Sequence, residues 1–193
     1  VGCAYKYLNG GPGAPAFIHA RPDIVQDIDP ALAGWLGHAE PFAMEPGYRP
    51  ATSTERLRVG TPPILQLAVL QEALTVWDGV DMADVRAASM RLGDLFIEAV
   101  EARCPALTLV SPRDARRRGS QVSFAFEHGY RAMQALIARG VIGDFRAPDV
   151  MRFGFTPLYL DEADVLAAAD ALQTVLDEEL WRDPAYGARS RVT

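Results

Sequence analysis

An irregular N-terminal stretch followed by an α/β remainder is the fold this sequence predicts. Three observations carry the prediction. Glycine, proline and small residues crowd residues 1–60, with little apolar periodicity. Two long helical patterns then follow one another between residues 61 and 104. After them, short alternating apolar runs interleave with two further helical patterns.

Within the first part, PAFIHA (Pro15–Ala20) alternates as a short strand does. The proline-rich run EPFAMEPGYRPATSTERLRVGTPP, residues 40–63, predicts a long irregular loop, and loops of that length in compact domains tend to carry function. Thr61 before Pro62 and Pro63 predicts a helix start, with threonine as N-cap and proline in the first turn. Ile64, Leu67, Ala68, Leu70, Leu74, Val76 and Trp77 make that helix apolar on all sides, which predicts burial as far as Gly79. Asp81 opens the next helix, whose inner stripe is Val85, Ala88, Leu92, Leu95, Phe96 and Val100. ALTLVS (106–111) and SQVSFAFE (120–127) read as strands by alternation and β-branched content. YRAMQALIARG (130–140) reads as a helix closed by Gly140. VIGDFRA (141–147) and VMRFGFTP (150–157) are two more strands, and 161–181 is a last helix with acids in its first turn. A frayed tail is expected from Arg182. From about residue 80 onward this order describes an α+β or α/β domain, which sets the predicted division at 1–79 and 80–193.

Composition narrows the function classes. The 193 residues are 49% hydrophobic and 23% charged, as in ordinary globular proteins. A net charge of −6 argues against nucleic acid, and no apolar run is long enough to span a membrane. The Arg116–Arg118 cluster reads as a solvated loop. Cys3 and Cys104 show no metal-ligand spacing and read as buried free thiols in a reducing cytoplasm. His19 and His128 read as loop or surface residues; His38 could cap a turn or stack in a pocket, and takes no catalytic role. The chain opens at Val1 on dense, motif-like sequence, so an N-terminal part of the protein is expected to precede it.

Lys6 is the only lysine; the other 18 basic residues are arginines. Tyr5 and Tyr7 flank it, and Gly10-Gly11-Pro12-Gly13 follows, a run that permits backbone conformations closed to other residues. A surface lysine is the plain reading of such a residue. An amine in an aromatic, partly desolvated setting loses proton affinity, however, and a neutral amine condenses with aldehydes. Arg152 lies inside a strand between apolar neighbours, where an arginine is either ion-paired or grips a ligand carboxylate with its planar fork. Thr61 opens a helix, and helix N-termini seat phosphate.

YKYLNGGPGAPAF resembles the lysine segment of the kynureninase family, within the fold type I enzymes that use pyridoxal 5'-phosphate (PLP). Three further segments are similar in the family's order: GWLGH at 34–38, with Leu36 where an aromatic is common, RVGTPPIL at 58–65 and APDVMRFGFTPLY at 147–159. The resemblance implies the end of a large PLP-binding domain over 1–79 and a small C-terminal α+β domain over 80–193. It implies Lys6 as the residue anchoring PLP and moving protons, and Tyr5 at the cofactor phosphate with a part in proton traffic. Trp35 and Thr61 would contact that phosphate across a homodimer interface, and Arg152 would hold the substrate carboxylate. Gly60-Thr61 resembles the bacterial form of its segment and tilts the substrate toward L-kynurenine over 3-hydroxy-L-kynurenine. The implied activity is cytoplasmic hydrolysis of kynurenine to anthranilate and L-alanine, within tryptophan catabolism and NAD biosynthesis. The family's other cofactor contacts precede its lysine, so a missing N-terminal segment would complete the site. Two alternatives stand beside this reading. A cysteine-desulfurase-like enzyme of the same fold would place histidine directly before its lysine, where this chain has Tyr5. A non-catalytic dimerisation fragment would have no use for Lys6, Trp35, Thr61 and Arg152 together.

Overall fold

The computed structural model describes residues 1–188 and divides the chain into two compact units, one from Val1 to Gly79 and the other from Val80 onward. The last residues of the predicted frayed tail, 189–193, lie outside the described residues; before them, Pro184–Tyr186 forms a 3-10 turn.

The first unit is held by backbone turns more than by a core. Strands β1 (Gly2–Cys3) and β2 (Ala16–Phe17) pair antiparallel, with Gly2 opposite Phe17. Short 3-10 turns follow at Val25–Asp27, Trp35–Gly37 and Thr54–Leu57. The buried apolar residues here are small: Ala4, Ala20, Val25 and Ala51. Arg56 is buried among them and donates to the carbonyls of Val25 (3.2 Å) and Gln26 (2.6 Å), tying distant loop segments. Helix α1 (Ile64–Leu74) runs into a 3-10 turn at Thr75–Trp77, and Gly79 supplies the left-handed residue (φ 74°) that ends it.

Two expectations need correction here. Helix α1 contains no buried residue; Ile64 is 63% exposed and Leu65 79%. Its all-round apolar character was read correctly, but within its own unit only the Gly10–Ala14 loop leans on one side of it, and the rest is left bare. The N-cap is Pro63, with no side-chain cap, rather than Thr61. A residue before proline is pushed into extended backbone, so the Pro62-Pro63 pair delays the helix and leaves Thr61 outside it.

The second unit has a true core. Helix α2 (Met82–Arg103) starts where the Asp81 carboxylate accepts the Ala83 N–H at 2.7 Å. Strands β3 (Thr108–Leu109), β4 (Gln121–Ala125), β5 (Asp144–Arg146) and β6 (Val150–Gly154) form one antiparallel sheet in the order β3-β4-β6-β5. Helix α3 (Gly129–Ile137) connects β4 to β5 and closes at Gly140 (φ 85°), as its sequence predicts. Helix α4 (Glu162–Asp177) begins with a capping box in which Asp161 and Asp164 each accept the other's backbone N–H. Period-2 alternation sends Val122, Phe124, Met151 and Phe153 into the core, where they meet Phe96 of α2 and Val165, Ala169 and Leu172 of α4.

Three smaller expectations also change. Cys3 is exposed and Cys104 buried, because Cys3 stands on a two-residue strand with no layer over it. Arg118 is buried rather than solvated; it pairs with Asp94 and donates to the carbonyls of Pro112 (3.1 Å) and Arg113 (2.6 Å). His128 is half-buried and stacks on Trp181 with centroids 4.2 Å apart, so it is a packing residue.

Candidate active site

Lys6 sits in a tight loop between β1 and β2. The Asn9 N–H donates to the Lys6 carbonyl (2.8 Å) and the Gly10 N–H to that of Ala4 (3.0 Å). Asn9 (φ 61°), Gly11 (φ 70°) and Gly13 (φ 88°) all take left-handed backbone, which is what the glycine run permits. The loop throws the Lys6 side chain outward while Ala4 beneath it is fully buried. The Lys6 Nζ lies over the Tyr5 ring, 5.0 Å from its centroid, and Tyr5 is itself 44% exposed. Within its own unit the amine therefore has an aromatic neighbour but not the enclosure expected of it. Tyr7 turns the other way, onto Trp77 (centroids 5.9 Å apart). The loop also leans on α1: Gly10, Pro12 and Ala14 line a hollow of about 150 Å³ with Leu65, Gln66 and Val69.

Trp35, Gly60 and Thr61 form a second grouping. The Trp35–Gly37 turn presses edgewise against residues 56–60. A Cβ on Gly34 would stand 1.8 Å from the Val59 carbonyl oxygen, so only glycine allows this approach. At Gly60 a Cβ would lie 3.7 Å from the indole Nε1 of Trp35. Gly60 thus lies in contact range of the indole edge that carries this N–H, and Thr61, next in the chain, has a hydroxyl with no capping duty. The prolines delay α1, so the amides of Ile64, Leu65 and Gln66 begin the helix with no side-chain cap. An indole N–H, a hydroxyl and a helix N-terminus are a donor set suited to phosphate. With the Lys6 amine in the same unit, the residues present fit PLP.

Arg152 belongs to the second unit. Its register on β6 puts it opposite Ser123 on β4 and Asp144 on β5. The guanidinium pairs with the Asp144 carboxylate, which also receives Arg146. The Arg152 Nε is buried without a hydrogen-bond partner among the described residues. One edge of the fork is thus held by a partly exposed ion pair, and one buried donor remains unsatisfied. Sequence reasoning did not find Asp144. An aspartate in a short strand carries no sign of its register, and only the β5–β6 pairing brings it to Arg152.

His38 was the residue left open by the sequence. It is only 9% exposed. Its Nδ1 accepts the Glu40 N–H (3.0 Å), and its Nε2 stands 3.3 Å from the Glu45 carboxylate, too poorly aligned for a hydrogen bond.

Residues 85–172 match the family model described as Kynureninase C-terminal domain. Over the whole chain, the sequence is 48% identical to a kynureninase of Burkholderia mallei across 195 aligned residues, covering 47% of that relative. It is 49% identical to a kynureninase of Pseudomonas fluorescens, again covering 47% of it. The chain thus spans about half the length of the curated relatives it matches. Among solved structures it is similar to the cystine C-S lyase C-DES in complex with its product cysteine persulfide. That match has a TM-score of 0.68 at 22% identity, over 89% of this chain and 45% of that one. It is also similar to an apo cysteine desulfurase of Thermococcus onnurineus, with a TM-score of 0.68 at 18% identity, over 87% and 45% of the two chains. At such identities these likenesses show a shared fold, that of the fold type I PLP enzymes.

Proposed function

We propose that this chain is part of a kynureninase-family protein, and that the protein containing it hydrolyses L-kynurenine to anthranilate and L-alanine, using PLP. The observation that carries the proposal is similarity to kynureninases along the entire chain, with its one lysine set in a glycine-rich loop. Residues 1–79 act as part of a large PLP-binding domain and residues 80–193 as the small domain. The curated relatives are about twice as long, and the remainder of such a protein supplies both the other cofactor contacts and a cover for α1. The working enzyme is a cytoplasmic homodimer with shared sites, acting in tryptophan catabolism and NAD biosynthesis.

PLP, when bound, supplies the electron sink for carbanion chemistry at the amino acid's Cα. The Lys6 amine would take the proton from the substrate Cα and return one, a role that needs an uncharged nitrogen for part of each cycle. Trp35 Nε1–H, the Thr61 hydroxyl and the first amides of α1 would hold the cofactor phosphate, with the Tyr5 phenol contributing to the same site. Arg152 grips the α-carboxylate, exchanging part of its pairing with Asp144 for a substrate carboxylate, and so fixes which Cα bond is broken. Gly60 leaves room beside Trp35 for substrate, and its bacterial-type Gly60-Thr61 pair favours L-kynurenine over the 3-hydroxy compound. Water adds across the γ-carbonyl, and the Cβ–Cγ bond then breaks to leave anthranilate on one side and the alanine skeleton on the other.

The test uses the full-length protein. Wild type should carry a visible cofactor absorbance and release anthranilate from kynurenine. Lys6→Ala should lose turnover by about 10²–10⁴-fold, the span usual for a general acid–base residue. Release of sulfur from cysteine in place of anthranilate would transfer the protein to the desulfurases, and a colourless protein would reject the cofactor altogether.

A further inference from the structure

We propose that His38 and Phe42 are positioning residues: through the loop 39–50 they hold the Trp35 indole at its phosphate-facing angle. The inference rests on the reading that Trp35 contacts the cofactor phosphate, and adds to it residues with no contact to the cofactor. The Phe42 ring meets the Trp35 ring edge-on, with centroids 5.6 Å apart and planes at 69°. Phe42 is 76% exposed and Trp35 47%, with Gly60 against the indole Nε1, so the edge-on contact of Phe42 supplies part of the restraint that keeps the indole from rotating. Phe42 is in turn fixed by the loop that carries it. The Ala39 N–H donates to the Arg49 carbonyl (2.7 Å), and Arg49 reaches Glu45 (2.5 Å) and Glu40 (2.7 Å) with its guanidinium. His38 sits at the loop's base. Because its Nδ1 accepts the Glu40 N–H, the neutral ring carries its proton on Nε2, facing the Glu45 carboxylate. Its ring also packs edge-on against Tyr48, centroids 5.7 Å apart. Glu40 and Glu45 bracket Phe42 in the chain, so the buried imidazole is hydrogen-bonded to the loop before the residue that touches Trp35 and faces a carboxylate 3.3 Å away after it.

The experiment measures PLP affinity of the full-length apoprotein by absorbance titration, alongside kcat at saturating PLP. Phe42→Ala, a change at an exposed position that folding tolerates, should weaken PLP binding about threefold to tenfold, the worth of one edge-to-face pair. Phe42→Tyr should restore it and Phe42→Leu should not, a difference that lost bulk alone would not produce. His38→Asn keeps an acceptor for the Glu40 N–H but cannot reach Glu45, and should behave as Phe42→Ala does. In every variant kcat at saturating PLP should stay close to wild type. Wild-type PLP affinity in Phe42→Ala and His38→Asn, with Trp35→Phe weakened, would overturn this inference and leave the cofactor reading standing. No loss in Trp35→Phe would overturn both.

Discussion

Arg152 carries two demands on one guanidinium. It stabilises its own sheet by pairing with Asp144, and in the proposed enzyme it must offer the same fork to a substrate carboxylate. Removing each partner separates the two. Arg152→Ala should raise KM for kynurenine about 10- to 100-fold, the worth of hydrogen bonds to a charged group. Asp144→Asn leaves the fork free and should hold KM steady or lower it, while thermal stability falls by no more than about 1 kcal/mol because the pair is partly exposed. Steady-state kinetics and a melting curve on each variant decide the point. Cys104 gives a different residue-scale test. Burial pushes its thiol up to about 11, helped by the Asp177 carboxylate and opposed by Arg103. The unfolded chain's thiol titrates near its ordinary value, so between about 8.5 and 11 the unfolded state gives up a proton that the folded state keeps. Stability should therefore decline as pH rises through that window, read as a falling urea midpoint that Cys104→Ala flattens. At pH 8 a thiol reagent should modify Cys3 alone until the protein unfolds.

At the scale of elements, capping chemistry places helix starts well where the cap is acidic. Asp81 and Asp161 both sit where an N-cap carboxylate is expected, and both accept amides of the first turn. Asp161→Ala should cost about 1 kcal/mol and lower the melting temperature accordingly, since it opens one half of a reciprocal box. The Thr61 start was misplaced for a local reason: two successive prolines hold the backbone extended, and hydroxyl preference loses to that steric constraint. Strand existence in β4 and β6 was legible from alternation, but the register of β5 on β6 was not, and that register is what sets Asp144 beside Arg152. Lys6, Thr61 and Arg152 stood out as candidates by residue type and surroundings, and Trp35 only through the resemblance of its GWLGH segment. Phe42 and His38 did not, because a loop closed by Glu40, Glu45 and Arg49 leaves no periodic trace in sequence.

For the molecule as a whole, the two units contrast in how they are held. The second has an aromatic centre in Phe96, Phe124, Phe153 and Phe155, with helices on the sheet that alternation predicted. The first has small buried residues, tight turns and one arginine binding loop to loop. Sequence periodicity reports an element's own character and not what lies against it. That is why α1 could be read as apolar all round while its cover could not be found within these residues. The bare helix has a consequence for how the protein can vary. In a complete enzyme, positions such as Leu65 and Val69 should accept other hydrocarbons but no charge, despite being 79% and 58% exposed here. Ile142, just as bare at 84%, stands on the irregular segment between α3 and β5, at the rim of a hollow that Val141, Phe153 and Tyr159 also line, and should accept aspartate or lysine freely with the charge left in water. A saturation library scored for soluble, active full-length protein would show the two sites drifting under opposite rules, and equal permissiveness at both would mean that α1 is never covered.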